Sequence, residues 1–339
     1  MLFVLLTFSS LVRKQKLLRI QNRIQRTLEV WISKILLNET EENDKGKLPV
    51  PLKFMKHFKN KAKRDFTIKQ LIDIKKNVTG DVTGNIIDAY QQLGFKKDSI
   101  VKFHSNKWYK KTQGIYQLYM MEQKDLAPEI FKLVNSHNEF VRMEAQTALI
   151  HFSGFEGLEF LDIVTHPISD WEQVQLLEQL KPLDFIEMNK LGQWLISSND
   201  TVVLFALRLA DVYQQFQVHD EVVKCLEHNN EKVRVQAVIT LCRIANDQTA
   251  SILIEHYYHK EYVGNRQNML NCLLTIATDN EKKFLIRELN DESDFLKLAA
   301  ARVLVKCCTN GLEILVDKAR LQPDPYQNIY FHIKSELQL

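Results

Sequence analysis

The sequence predicts an all-α protein built from stacked helix pairs, and three observations carry that prediction. Segments of matching pattern start at Ser105, Asn138, Asp170, Asn199, Asn230, Tyr262 and Ser293, at intervals of 33, 32, 29, 31, 32 and 31 residues; a steady period of this length marks a solenoid. Six of the seven starts are Ser, Asn or Asp, side chains that accept hydrogen bonds from the open amides of a helix's first turn. Glycine and proline, 10 and 7 of 339 residues, are about half as frequent as usual, which favours helices joined by short turns over sheet.

Residues 1–12 open the chain as MLFVLLTFSSLV, uncharged and mostly apolar. The run is shorter than the about 17 to 25 residues a span needs. It lacks the charged start and small-residue cleavage site of a secretory signal. A buried first helix and a membrane anchor, short or truncated as numbered, remain, and the basic residues beyond the run favour the anchor. Arg13, Lys14, Lys16, Arg19, Arg23 and Arg26 come before any acidic residue, the excess expected on the cytoplasmic flank of a membrane segment.

Residues 13–38 form a basic amphipathic helix, because Leu17, Ile20, Ile24, Leu28, Trp31 and Ile35 recur at steps of three and four. A polar linker fills 39–51. A basic helical region spans 52–104, with helices expected near 67–77 and 82–94, the second closed by Gly94. Its stretch 53–76 holds nine Lys or Arg against two Asp, interleaved with Phe54, Phe58 and Phe66. Lys59, Lys61, Lys63 and Arg64, together with Arg13, Lys14, Lys16, Arg19 and Arg23, are the candidate lipid or anion contacts. A solvated helix face is the competing reading of the same charges.

The repeats occupy 105–339. In the two best copies, NEFVRMEAQTAL at 138 and NEKVRVQAVITL at 230, the Asn caps and a Glu meets the positive helix end. Val141 and Ala145, like Val233 and Ala237, face the next helix, and a second apolar stretch follows at 157, 221, 251, 282 and 311. Arg142, Arg234 and Arg266, with Lys297, recur four residues after the unit starts at Asn138, Asn230, Tyr262 and Ser293. A stacked row of guanidinium groups suits anions, but a tie to a neighbouring carboxylate or helix carbonyl is the expected role. Trp108, Trp171 and Trp194 are candidate aromatic anchors for a partner, with core packing as the competing reading. The unit starting at Asp170 departs from the pattern with Val174 at the Arg position, and that at Tyr262 with Met269 at the small position.

This pattern of cap, acid, Val-Arg and spaced Ala resembles the short HEAT repeat related to those of phycobilisome lyases. The basic N-terminal helix after an apolar start resembles that of uncharacterised membrane-anchored bacterial HEAT-repeat proteins. The resemblance implies a right-handed α-solenoid of about seven HEAT-like helix pairs, a curved surface for gripping a macromolecule, and relatives that are mostly scaffolds.

Chemistry is sparse. There is no Gly-rich phosphate loop, no GxSxG and no HExxH. His256 and His259, near Glu255 and Glu261, lack an evident third ligand. Cys225, Cys242, Cys272, Cys307 and Cys308 have no CxxC spacing and read as reduced core thiols, which leaves the sequons at Asn38, Asn77 and Asn199 without meaning. No catalytic residue, cofactor or metal is expected. Residues 1–104 carry 21 Lys and Arg against 10 Asp and Glu, whereas the rest carries 24 against 32, which argues against a long nucleic-acid groove in the repeats.

The expectation is therefore a non-enzymatic scaffold or adaptor that binds a protein partner at the cytoplasmic face of a membrane, single-pass or peripheral. Its binding wall would be the second helix of each pair. Membrane-bound envelope machinery is the partner class that the anchored architecture suggests. Two alternatives are a soluble cytoplasmic location and a nucleic-acid-binding role for 53–76. An enzyme acting on bilins or bases rests on fold analogy alone.

Overall fold

The computed structural model describes residues 2–36, 61–181, 188–259, 261 and 263–337. All regular structure among them is helical: 18 α-helices and five short 3-10 segments. The chain divides into two compact units, Met1–Phe160 and Leu161–Leu339.

The first unit begins with α1 (Leu2–Leu36). Its Ile20 and Ile24 pack on a core of Ile68, Leu71 and Ile72 from α2 (Lys61–Lys75), and Ile86, Ala89 and Tyr90 from α3 (Asp81–Gln92). The three-and-four spacing of the apolar residues in α1 is what turns these two towards the core. Gly94, at φ +66°, makes the left-handed turn that an L side chain resists. It separates α3 from α4 (Phe95–Phe103), a helix the sequence pattern did not distinguish.

Repeats follow. In the first unit, α5 (Trp108–Met120) lies against α4 and α7 (Glu139–Ser153), with α6 (Ala127–Phe131) between them in the chain. Gly114 on α5 is what lets α4 come close, since a Cβ there would strike the backbone of Lys102 and Phe103.

In the second unit the first helices are α8 (Asp170–Leu180), α10 (Asp200–Val212), α12 (Glu231–Arg243), α14 (Val263–Ile276) and α16 (Asp294–Cys307). From α10 onwards each packs on the next. The second helices are α9 (Leu191–Trp194), α11 (His219–Lys224), α13 (Thr249–His256), α15 (Lys282–Glu288) and α17 (Gly311–Leu321). Each of these lies against the first helix that follows it in the chain, save that α17 is followed by the closing helix α18 (Pro323–Leu337). All seven expected first helices are present, so the all-α solenoid class is what the chain adopts. In the repeats that start at Asn138, Asn230 and Ser293 the apolar side is covered: Val141, Ala145, Val233, Ala237, Leu296 and Ala300 are all buried.

The caps refine the unit boundaries. Asn138, Asn199 and Asn230 accept from the amides of Val141, Thr201 and Lys232 at 3.0 to 3.2 Å. The third unit starts at Ser169 rather than Asp170, with a reciprocal capping box to Glu172. The first starts at Lys107, whose side chain makes no cap bond, rather than at Ser105. With these shifts the position four after the cap is Lys111, Arg142, Gln173, Val203, Arg234, Arg266 and Lys297, spaced by 30 to 32 residues throughout.

Among the described residues no helix is long and apolar enough to cross a membrane; the charges from Arg13 onward follow the apolar run after three turns of α1. One expectation gives way. Cys242 and Cys272 are not separate core thiols but an adjacent pair, with Cα atoms 5.2 Å apart and within reach of a disulfide. They lie 30 residues apart on α12 and α14, almost one repeat period, and stacking therefore brings them face to face. Cys225, Cys307 and Cys308 are free.

Candidate interaction surfaces

Four of the side chains at the recurring position four residues after the cap, Arg142, Arg234, Arg266 and Lys297, are cations with bonded partners. Arg142 Nη1 donates to the carbonyls of Ser136 and His137 at 2.9 and 3.2 Å. Arg234 repeats this on His228 and Asn229 and adds Glu261 Oε1 at 2.6 Å. Arg266 reaches Asp291 at 2.8 Å and Lys297 reaches Asp294 at 2.8 Å. In the third unit Gln173 takes the place, donating to the carbonyls of Ile168 and Thr201 and accepting from Arg208. The carboxylates of Arg234 and Arg266 follow them by 27 and 25 residues, at the next unit's edge. Arg142 and Arg234 close carbonyls of the turn before their own helix, and Gln173, Arg234 and Arg266 reach residues around the start of the next repeat.

The three tryptophans have different fates. Trp194 is 5% exposed, and its Nε1 donates to Asp162 Oδ1 at 2.7 Å; burial with a satisfied donor makes it a core residue and removes it from the candidate partner anchors. Trp171 is 66% exposed on α8. Trp108 is 47% exposed and stacks on Phe140 at 5.0 Å, with Tyr109 edge-on at 5.9 Å.

The basic candidates also divide. Lys14, Lys16, Arg19, Arg23 and Arg26 are exposed along α1, as are Phe8, Leu11, Val12 and Leu18. The side chain of Arg13, and Lys59 entirely, lie outside what the structure describes. Lys61 is exposed and Lys63 half-buried. Arg64 donates to Asp98 at 2.7 Å and to the carbonyls of Leu93 and Gly94, over the Phe95 ring. Those partners hold the end of α3 against α4 and take Arg64 out of the lipid or anion set. Lys75 pairs with Glu122 and Lys102 with Asp65, at 2.7 and 2.9 Å.

One open cleft gathers imidazoles: His228, His256 and His259 line it with Glu227, Arg234 and Tyr258. His256 faces the Ile252 carbonyl through Nδ1 at 2.9 Å and lies 3.6 Å from Glu227 through Nε2. Glu261 serves Arg234, so these groups do not converge, and no cluster able to hold a metal ion occurs among the described residues. Burial pushes the Cys225 thiol up to about 11 and raises Cys307 and Cys308 as well, which leaves them poor nucleophiles at neutral pH. Burial likewise pushes the carboxyls of Glu144 and Glu288 up to about 7.

Exposed apolar side chains recur along the second helices of the second unit: Ile196 follows α9, Tyr258 follows α13, Ile286 lies on α15 and Leu321 ends α17. Sequence reasoning named that wall without naming these residues. Their signal was an apolar side chain 24 to 28 residues after the starts at Asp170, Asn230, Tyr262 and Ser293.

No family model matches the chain, and no curated protein does. Solved structures similar to it include an engineered protein at 15% identity and TM-score 0.40, covering 82% of this chain and 86% of that one. Human deoxyhypusine hydroxylase in complex with glycerol is similar at 15% identity and TM-score 0.30, covering 71% and 90%. The complex of CpcE and CpcF of phycocyanin lyase from Nostoc sp. is similar at 12% identity and TM-score 0.27, covering 82% and 97%.

Proposed function

We propose that the chain is a non-enzymatic adaptor that rests peripherally on the cytoplasmic face of an anionic membrane through α1 and offers its helical repeats to a protein partner. The observation that carries this reading is the division of α1. Ile20 and Ile24 hold the helix in the core of the first unit, while Phe8, Leu11 and Val12 stand exposed next to exposed Lys14, Lys16, Arg19 and Arg23. Apolar residues that dip into a leaflet beside cations that meet its headgroups are the chemistry of an interfacial helix. Each cation held at an anionic leaflet contributes about 1 kcal/mol.

The exposed apolar residues of the second helices, Ile196, Ile286 and Leu321 above all, support a protein partner for the second unit. Of the cations that motivate the nucleic-acid alternative, Arg64 and Lys75 are tied to Asp98 and Glu122, whereas Lys61, Lys69 and Lys76 are exposed.

Co-sedimentation of the full chain with vesicles tests the membrane arm. The chain should pellet with phosphatidylglycerol-containing vesicles, and Lys14→Glu with Arg19→Glu should release it about tenfold or more. A wild-type chain that stays in the supernatant at low salt defeats the reading. For the partner arm, Ile196→Asp with Leu321→Asp should abolish cross-linking to a protein that wild type captures.

A further inference from the structure

The first-unit residues around Trp108 belong neither to the α1 contact nor to the apolar wall of the second unit. Lys107 and Lys110 are exposed and Lys111 is half-buried, and none of the three forms an ion pair among the described residues. Between them stand Trp108 and Tyr109, and against Trp108 stacks Phe140 from the next unit, all three between 44% and 49% exposed.

This composition works against the helix that bears it. The first turn of α5 holds no acidic residue and its cap position makes no side-chain bond; α14 also lacks an acid there, whereas α7, α8, α10, α12 and α16 each place one. Cations near a helix N-terminus oppose its dipole. A local rule broken without an internal compensation points to a task outside the fold.

We infer that Lys107, Trp108, Tyr109, Lys110, Lys111 and Phe140 form a second contact with an anionic bilayer. Three features select a bilayer as the occupant. The cations are lysines, compact charges that meet many headgroups without a fixed fork geometry. The aromatic pair projects as amphipathic tips, the side chains that settle at the headgroup level of membranes. The surrounding unit carries 27 Lys and Arg against 17 Asp and Glu, so its field favours an anionic surface. The inference rests on the membrane reading of α1 and adds a contact made by the repeats themselves.

The test uses the full chain, vesicles of phosphatidylcholine with and without phosphatidylglycerol, and three variants checked for folding by circular dichroism. Lys107→Glu with Lys110→Glu, and separately Trp108→Ala with Phe140→Ala, should each weaken partitioning about tenfold with α1 intact. Brominated lipid should quench tryptophan fluorescence, and part of that quenching should vanish in Trp108→Phe. Unchanged partitioning and unchanged quenching in these variants, while Lys14→Glu with Arg19→Glu still releases the chain, overturn the patch and leave α1 standing. Wild type that ignores anionic vesicles overturns both. Salt-sensitive binding of a single-stranded oligonucleotide, lost in the patch variants while their vesicle binding persists, reassigns the patch and overturns the bilayer.

Discussion

The two units use charge in opposite ways. The first carries 27 Lys and Arg against 17 Asp and Glu, and the second 18 against 25. In the second unit the cations close on the stack: Arg208 on Asp170, Arg234 on Glu261, Arg266 on Asp291 and Arg302 on Glu336. The first unit ties its core cations in the same manner but leaves those of α1 and of the α5 start exposed. Charge that joins repeats stabilises a shape, whereas charge left over on a surface is available to a partner.

The largest test of the comparison is one that should not distinguish the units. Gly114 in the first and Gly311 in the second each sit where a Cβ would strike backbone, of Phe103 and Leu304 respectively. Alanine at either should cost about 3 kcal/mol or more, because helix backbones cannot yield as a flexible side chain can. Urea unfolding followed by circular dichroism measures it. A loss below about 1 kcal/mol at either site would mean that the close helix approach is not required there.

Next comes the repeated arginine, where the units should separate. Arg234→Ala leaves the Glu261 side chain, 3% exposed, with the Asn265 amide as its remaining partner among the described residues; a buried charge stripped of its counter-ion costs about 3 kcal/mol. Arg142 engages carbonyls alone, and its alanine variant should cost about 1 kcal/mol. Equal losses would show that the carboxylate adds nothing.

Much of this was legible because a repeat reports itself several times. Period, caps and the small position each recur, so one ambiguous copy is outvoted by its neighbours. What escaped was local. The Ser169-Asp170-Trp171-Glu172 stretch is a capping box in plain view, but alignment on Asp170 hid it and placed Val174 where Gln173 belongs. For Trp194 the sequence leaves core packing and a partner anchor both open, and it reads Arg64 as a surface cation, because sequence shows residue type and not the distant partner, Asp162 in one case and Asp98 in the other. The Cys242–Cys272 pair needed the spacing of 30 to be compared with the repeat period.

A third test concerns one buried carboxyl in each unit. Burial pushes Glu144 in the first and Glu288 in the second up to about 7, from 4.5. Between those values the folded chain keeps a proton that the unfolded chain has released. Stability from each is therefore full below about pH 4.5, falls as pH rises and levels off above about 7. On this account wild type should lose about 2 kcal/mol for each carboxyl between pH 5 and pH 8. Glu288→Gln should flatten the slope and gain stability at pH 8, with Tyr258 still able to donate to the amide oxygen. A slope unchanged in both Glu144→Gln and Glu288→Gln would show that neither carboxyl holds its proton.

The smallest effect bears most directly on the difference between the units. Lys107 has φ −84° and ψ 116°, nearly the backbone of Asn138 at −86° and 121°, so the cap geometry is already present and only the accepting side chain is missing. Lys107→Asn should supply it and also remove a cation from the positive helix end, stabilising the chain by about 1 kcal/mol. The control is Ser293→Ala, which should cost almost nothing because Ser293 makes no cap bond. If the lysine is retained for a surface contact, Lys107→Asn should also partition less onto anionic vesicles: more stable and worse at binding. A variant that gains stability and keeps full partitioning would leave the missing cap in the first unit without a functional reason.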